Sequence, residues 1–323
     1  MKIVILDAGT FFFEDEQPWG PLREFGELVI REHTSHDDAN LIVERCAGAD
    51  IVLTNKVPMS ADTLKRLPDL KLVGVLATGY NIVDVAAAKE LGVTVCNAPS
   101  YSTQSVAQHT LALMLELTNH VGLHSESVHA GDWVASEEFC YWKKPLFELK
   151  GATVGFIGWG EIGSAVGELV HALGANVIAY TRSRRGGPDW DYGFAWEDLD
   201  EVFAQSDLIS LHCPQTAENT GLVNRERLAL MKDTAYLVNT ARGGLIDEAA
   251  LLEALQNGVI AGAALDVVSK EPMAADNPLK GAPNCIITPH VAWSSFPARS
   301  KLLEITFGNI RAFREGEPRN VVS

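Results

Sequence analysis

Thr153-Val154-Gly155-Phe156-Ile157-Gly158-Trp159-Gly160-Glu161-Ile162-Gly163 joins an apolar run to three glycines at G-x-G-x-x-G spacing. Val154, Phe156 and Ile157 do not alternate with polar residues, the pattern of a strand buried on both faces. Beyond the glycines, Ile162, Ala165, Val166, Leu169, Val170 and Leu173 recur every three or four residues and Gly174 supplies a stop, which predicts a helix. In such a strand, turn and helix, Gly158 permits the tight turn, Gly160 lets a pyrophosphate approach the backbone, and Gly163 lets the helix lie close on its strand. With Glu161 and Ile162 they form a phosphate-binding turn, and the phosphate charge falls on the free N–H groups of the helix N-terminus. Three glycines alone are a weak signal, because glycine also marks ligand-free turns. The flanking strand and helix favour a dinucleotide.

The next strand, Asn176 to Tyr180, arrives on schedule for a βαβ unit. At its end, where an NAD-binding protein usually places Asp or Glu for the adenosine ribose, stands Thr181, followed by Arg182, Ser183, Arg184 and Arg185. Thr181 cannot repel a 2′-phosphate, and Arg182 with Arg184 or Arg185 can attract one, with a hydroxyl from Ser183. The expected cofactor is therefore NAD(P)H, leaning to NADPH.

At 323 residues with 47% apolar content the chain is long for one core, so two domains are expected. A net charge of -16, with no basic tract beyond Arg182 to Arg185, argues against nucleic acid. Cys46, Cys96, Cys140, Cys213 and Cys285 are odd in number and scattered without C-x-x-C, so neither a disulfide framework nor a metal site is expected. The N-terminus lacks a leader pattern and no apolar span is long enough for a membrane, which predicts a cytoplasmic protein.

Ile3 to Leu6, Ile51 to Thr54, Leu70 to Leu76 and Val93 to Cys96 read as buried strands. They alternate with helical patterns at Ser60 to Leu67 and Asp84 to Leu91, so the first part is also a parallel α/β sheet. Its odd feature is the small-residue turn Ala77-Thr78-Gly79 at a strand's carboxyl end, the edge where open α/β sheets take ligands. Ser105 to Asn119 predicts a helix apolar almost all round, buried between layers or between subunits, and Gly131 to Trp142 adds aromatics that suit an interface. A homodimer is expected. Further strands, Leu208 to Leu211, Ala235 to Val238, Ala263 to Val268 and Asn284 to Thr288, end in His212-Cys213-Pro214, Asn239-Thr240-Ala241-Arg242, the region of Asp266, and Pro289-His290. A last helix, Ser294 to Phe313, exceeds what a six-stranded nucleotide domain needs and is expected to return to the first domain.

Arg242, Glu271 and His290 each have an ordinary structural explanation when taken singly. Together they supply what reduction of a 2-keto acid requires: a fixed cation for the carboxylate and carbonyl oxygen, a proton donor near neutrality, and a carboxylate that stabilises the charged donor. Gly158 to Gly163, Asn239-Thr240-Ala241-Arg242-Gly243-Gly244, Asp266 through Glu271-Pro272, and Pro289-His290-Val291-Ala292-Trp293 resemble the successive signatures of the D-2-hydroxyacid dehydrogenase family, over nearly the whole chain. The glycerate dehydrogenase and hydroxypyruvate reductase branch is the most similar, with Ala98 to Thr103 and Cys140-Tyr141-Trp142 as its weaker marks.

The resemblance implies an α/β protein of two parallel-sheet domains. A Rossmann-type dinucleotide-binding domain, residues 99–291, is inserted into a smaller flavodoxin-like substrate domain, residues 1–98 and 292–323. It implies Arg242 as substrate binder, His290 as acid/base and Glu271 as its partner. Backbone N–H groups of Ala77, Thr78 and Gly79 would meet the substrate carboxylate. Thr103, Cys213, Pro214, Thr240, Ala241 and Asp266 would join the glycine turn in holding cofactor. The implied activity is reduction of hydroxypyruvate or glyoxylate to D-glycerate or glycolate. Alternatives are a dehydrogenase for a larger D-hydroxy acid or phosphite, or a dinucleotide-sensing scaffold similar to the family's corepressors. Those carry long tails that this chain lacks. A 3-phosphoglycerate enzyme is disfavoured because no regulatory domain follows His290.

Overall fold

The structure, a computed structural model, describes residues 1–11, 18–184, 186–191 and 193–323. It divides into two compact units, Met1–Ser102 with Ser294–Ser323, and Thr103–Trp293. The division falls a few residues beyond the expected 98 and 291.

The first unit holds strands β1 (Lys2–Ile5), β2 (Glu27–Ile30), β3 (Ile51–Thr54), β4 (Leu72–Val75) and β5 (Thr94–Cys96), all pairs parallel, in the order β2-β1-β3-β4-β5. That is the flavodoxin-like order. Ile3, Val4, Ile5, Ile51, Val52 and Leu53 are fully buried, as parallel strands covered on both faces require. Helices α1 (Ala39–Cys46), α2 (Ala61–Lys65) and α3 (Val85–Glu90) begin at Asp38, Ser60 and Asp84. Each of these side chains accepts an N–H of its helix's first turn, a cap worth about 1 kcal/mol.

The second unit opens with helices α4 (Thr103–Asn119) and α5 (Val121–His129). Its strands are β6 (Thr153–Ile157), β7 (Asn176–Tyr180), β8 (Phe194–Trp196), β9 (Leu208–Leu211), β10 (Tyr236–Asn239), β11 (Gly262–Leu265) and β12 (Cys285–Ile287). They run parallel in the order β12-β11-β10-β9-β6-β7-β8, the doubly wound order with its reversal between β6 and β9. Helix α6 (Glu161–Ala172) follows the glycine turn, and α7 (Leu199–Gln205), α8 (Arg225–Leu228) and α9 (Glu248–Gln256) follow in chain order. Two apolar clusters cover the two faces of the sheet: Phe156, Val166 and Val170 with Met114 of α4 on one, and Ile209, Leu237, Leu251 and Leu265 on the other. Full burial of Phe156 alone stabilises by roughly 1.5–3 kcal/mol.

The seventh strand, β8, exceeds the six expected. Its Phe194 and Trp196 dock on Trp159 of the glycine turn with ring centroids at 5.0 and 6.4 Å. The closing helix α10 (Phe296–Arg314) begins at Ser295, whose hydroxyl accepts the Ala298 N–H, and belongs to the first unit. Among the described residues no helix is long and apolar enough to cross a membrane. All five cysteines are free thiols.

Candidate active site

Because every strand of the second sheet points the same way, the turns after β6, β7, β9, β10, β11 and β12 share one edge. Gly158 opens the first turn at φ +101°, and a Cβ there would lie 2.6 Å from the backbone of His212 and Cys213, so no other residue fits. At Gly163 a Cβ would lie 2.4 Å from the Gly158 oxygen, which is how closely α6 approaches its own turn. Gly160 differs. It is the N-cap of α6 with ordinary backbone, and a Cβ there would meet nothing within 4 Å. The protein itself does not need glycine at 160; the open space over the helix N-terminus fits a pyrophosphate. Glu161 is the first residue of α6, and its Oε2 accepts the Thr103 hydroxyl at 3.4 Å.

After β7, the Thr181 hydroxyl accepts the Arg184 N–H at 2.9 Å, and the Arg184 guanidinium pairs with Asp198. Arg184 is thus engaged within its own segment, Arg182 is exposed, and Arg185 lies outside the described residues. After β9, Asn219 donates to the Pro214 oxygen at 2.8 Å and fixes the Cys213-Pro214 turn. Burial pushes the Cys213 thiol up from its ordinary value. The neighbouring His212 ring stacks on Phe156 and meets the Ser210 hydroxyl at 2.8 Å; burial pushes its pKa down to about 3, so it is neutral at pH 7.

The turn that carries Arg242 is tied by one buried side chain. Asn239 accepts the Ala241 N–H at 3.0 Å and donates to the Arg242 oxygen at 2.9 Å. Gly243 passes so close to Val268 that a Cβ would lie 1.9 Å from its carbonyl carbon. The Arg242 guanidinium donates to the Ala241 oxygen at 2.7 Å and is half-buried.

His290 and Glu271, far apart in sequence, meet: Nδ1 of His290 is 2.6 Å from Oε2 of Glu271. Glu271 is itself oriented by the Val268 N–H at 3.2 Å. His290 adopts φ +55°, in the left-handed region that side chains other than glycine, Asn, Asp and His seldom enter. Its N–H is held by the Asp266 oxygen at 2.8 Å and the Thr288 oxygen at 3.0 Å. With Nδ1 engaged, Nε2 is the ring nitrogen left to meet a substrate.

Asp266, expected at the cofactor, lies beneath this loop with 1% of its surface exposed. Its Oδ1 accepts the Thr288 hydroxyl at 2.6 Å and the Val291 N–H at 2.9 Å, and its Oδ2 accepts the Ala292 N–H at 2.9 Å. As placed, Asp266 holds the loop that carries His290. The edge therefore brings together Gly158 to Gly163, Thr181 to Ser183, Cys213-Pro214, Thr240 to Arg242, Glu271 and His290. In the first unit, the Ala77-Thr78-Gly79 turn follows β4 and is tied to the chain after β5. The Thr78 hydroxyl donates to the Ala98 oxygen at 2.9 Å, and Asn97 donates to the Thr78 oxygen at 2.8 Å.

Sequence reasoning passed over Ser105, His109 and Thr110 of α4, which reach the Ala292 oxygen at 2.6 Å, the Thr288 hydroxyl at 3.1 Å and the Thr240 hydroxyl at 2.9 Å. The available signal was the i, i+4 spacing of Ser105 and His109, which puts both on one side of the helix.

Residues 111–292 match the D-isomer specific 2-hydroxyacid dehydrogenase NAD binding domain family. The chain is 45% identical over 323 residues, the full length of both, to a hydroxypyruvate reductase of Blautia hydrogenotrophica. It is 43% identical to a glycerate dehydrogenase of Methylorubrum extorquens, over 96% of this chain and 98% of that one. An NADPH-dependent glyoxylate/hydroxypyruvate reductase of Sinorhizobium meliloti, solved with NADP and malonate, superposes with a TM-score of 0.84 at 30% identity, covering 100% of this chain and 96% of that one. The chain belongs to the D-2-hydroxyacid dehydrogenase family and is an oxidoreductase that acts on the CH–OH group of a small 2-hydroxy acid with a nicotinamide cofactor.

Proposed function

We propose that the chain reduces hydroxypyruvate, and glyoxylate beside it, to D-glycerate and glycolate. The observation that carries this reading is the pairing of His290 with Glu271 at 2.6 Å, at the sheet edge that also bears Arg242 and the glycine turn. The names of the relatives support the substrate class.

In this reading Gly158, Gly160, Glu161, Ile162 and Gly163 hold the pyrophosphate, Thr181, Arg182 and Ser183 the adenosine end, and Thr103, Cys213, Pro214, Thr240 and Ala241 the remainder. Asp266 acts from below. A reduced nicotinamide dinucleotide supplies two electrons and one proton's equivalent to the carbonyl carbon. Arg242 binds the carboxylate and draws charge toward the carbonyl oxygen. Backbone N–H groups of residues 77–79 are the first unit's candidates for a substrate carboxylate. His290 gives the proton on Nε2 to the oxygen as it becomes a hydroxyl, and Glu271 orients the ring through Nδ1. Residues 1–98 and 292–323 would serve substrate and 99–291 cofactor.

The finer cofactor choice falls to NADPH. Thr181 is uncharged and engaged by the Arg184 N–H, and Arg182 is left as an exposed cation beside it. One charged contact to a 2′-phosphate is worth about 1.5–3 kcal/mol, roughly ten-fold to a hundred-fold. With hydroxypyruvate, glyoxylate and pyruvate compared, hydroxypyruvate is expected to give the highest kcat/KM, and NADPH to exceed NADH by at least about ten-fold. Thr181→Asp should erase that margin. Equal use of NADH would refute the cofactor argument, and preference for pyruvate would refute the substrate.

The protein is further read as a cytoplasmic homodimer. Val134 and Phe139 are 92% and 88% exposed, with Trp133, Trp142 and Leu146 also open to solvent, a grouping expected of an association surface. An interface above about 2,000 Å² is expected. Sedimentation at micromolar concentration should find a dimer, and a monomer there would exclude it.

A further inference from the structure

Beneath the loop that carries His290 runs a chain of three polar side chains. His109 Nε2 lies 3.1 Å from Thr288 Oγ1, and Thr288 Oγ1 donates to Asp266 Oδ1 at 2.6 Å. A hydroxyl has one proton. Since that proton is given to Asp266, the contact with His109 requires the hydroxyl to accept, and His109 must carry its proton on Nε2. His109 Nε2 also stands 3.6 Å from Asp266 Oδ1.

Asp266 is the point at which both reactive loops are joined. Its carboxylate takes the N–H groups of Val291 and Ala292, and its carbonyl oxygen takes that of His290. Its own N–H goes to the oxygen of Asn239, at 2.9 Å, and Asn239 ties down the turn bearing Arg242. A buried carboxylate oxygen that loses a donor must find another or turn, and turning would move Val291, Ala292 and with them His290. Thr288 is the side-chain donor that shares Asp266 Oδ1 with the Val291 N–H, and Thr288 is in turn met by His109 of a helix.

We propose that His109 and Thr288 are positioning residues: through Asp266 they fix the loop that presents His290, so that α4 acts as a brace for the proton donor. The inference rests on the reading of His290 as acid/base. Ser105 and Thr110, also in the first two turns of α4, meet the neighbouring Ala292 and Thr240. Neither His109 nor Thr288 touches the reacting atoms in this role; both act by geometry.

The test is a double-mutant cycle of His109→Phe and Thr288→Val, with Thr288→Ser as the variant that keeps the hydroxyl. Removing one hydrogen bond to a charged group corresponds to about ten-fold, so each single change is expected to lower kcat by about ten-fold while cofactor Kd stays within about two-fold. The double variant should lose no more than Thr288→Val alone, because either change breaks the same chain. Thr288→Ser should recover most of kcat. In parallel, the imidazole nitrogen resonances of His290 should move in His109→Phe and Thr288→Val and return in Thr288→Ser. Independent losses that multiply, an equal loss in Thr288→Ser, or unmoved His290 resonances would each overturn the brace. A wild-type protein that turns over no 2-keto acid would overturn the acid/base reading instead, and the resonances would still decide the brace.

Discussion

His290→Asn is expected to lower kcat by at least about a hundred-fold at every pH while leaving cofactor affinity close to wild type, because a positioned acid contributes about 10²–10⁴-fold. Asparagine is the informative replacement. His290 sits at φ +55°, and asparagine enters that region more readily than alanine, so the backbone of the 288–292 loop is kept while the proton donor is lost. Alanine would add a backbone cost of the order of 1 kcal/mol and confuse the two effects. Arg242 and the glycine turn remain, so substrate and cofactor still bind and the loss belongs to kcat rather than KM. Glu271→Gln keeps the shape beside Nδ1 and removes the charge, and should fall between wild type and His290→Asn. Steady-state kinetics with a single-turnover check would decide it: kcat within about ten-fold of wild type in His290→Asn would remove His290 from the mechanism.

Two alanine substitutions in the glycine turn are expected to fail in opposite ways. Gly158→Ala must place a Cβ at φ +101° and 2.6 Å from the backbone of His212 and Cys213. No side-chain rotation relieves contact with backbone, so the protein should lose about 3 kcal/mol or more of stability, and with it the junction of β6 and β9. Gly160→Ala meets nothing within 4 Å and has a backbone that alanine tolerates. Its unfolding temperature should match wild type, yet its Cβ would stand in the space assigned to the pyrophosphate and should weaken cofactor binding by at least about ten-fold. Thermal unfolding and fluorescence titration separate the two. A destabilised Gly160→Ala, or one that binds cofactor as well as wild type, would show that the open space is not the phosphate site.

The sequence was most legible where a residue is enclosed on all sides. Ile51–Thr54, Asn176–Tyr180 and Leu208–Leu211 form strands at the positions the apolar runs predict, since internal parallel strands admit little but apolar residues. β2 and β8 escaped, because an edge strand of three or four half-buried residues leaves almost no pattern. Parallel strands gather their carboxyl ends at one edge, which is why the turns bearing Arg242, Glu271 and His290 could be expected there, and Glu271 and His290 meet. What lies behind them was not readable. The family resemblance implied Asp266 as a cofactor contact, and no sequence pattern announced the donors from Thr288, Val291 and Ala292 that surround it. His109 and Thr288 are separated by 179 positions, and no local pattern in either segment encodes that distance.

The first unit is closed by residues that follow the second unit in the chain. Its edge strand β5 receives a short antiparallel partner at Val321, and the Val322 N–H reaches the Val95 oxygen at 2.9 Å. Asn309 donates to the Asn97 oxygen at 2.9 Å across 212 positions. The contiguous unit Thr103–Trp293 has all its strands available once Trp293 has emerged, whereas Met1–Ser102 waits for α10 and the segment after it before the rim of its sheet is covered. Order of completion thus runs against order of synthesis: the middle of the chain can mature while its beginning is still a sheet with one open border, the kind of border that invites pairing with other chains.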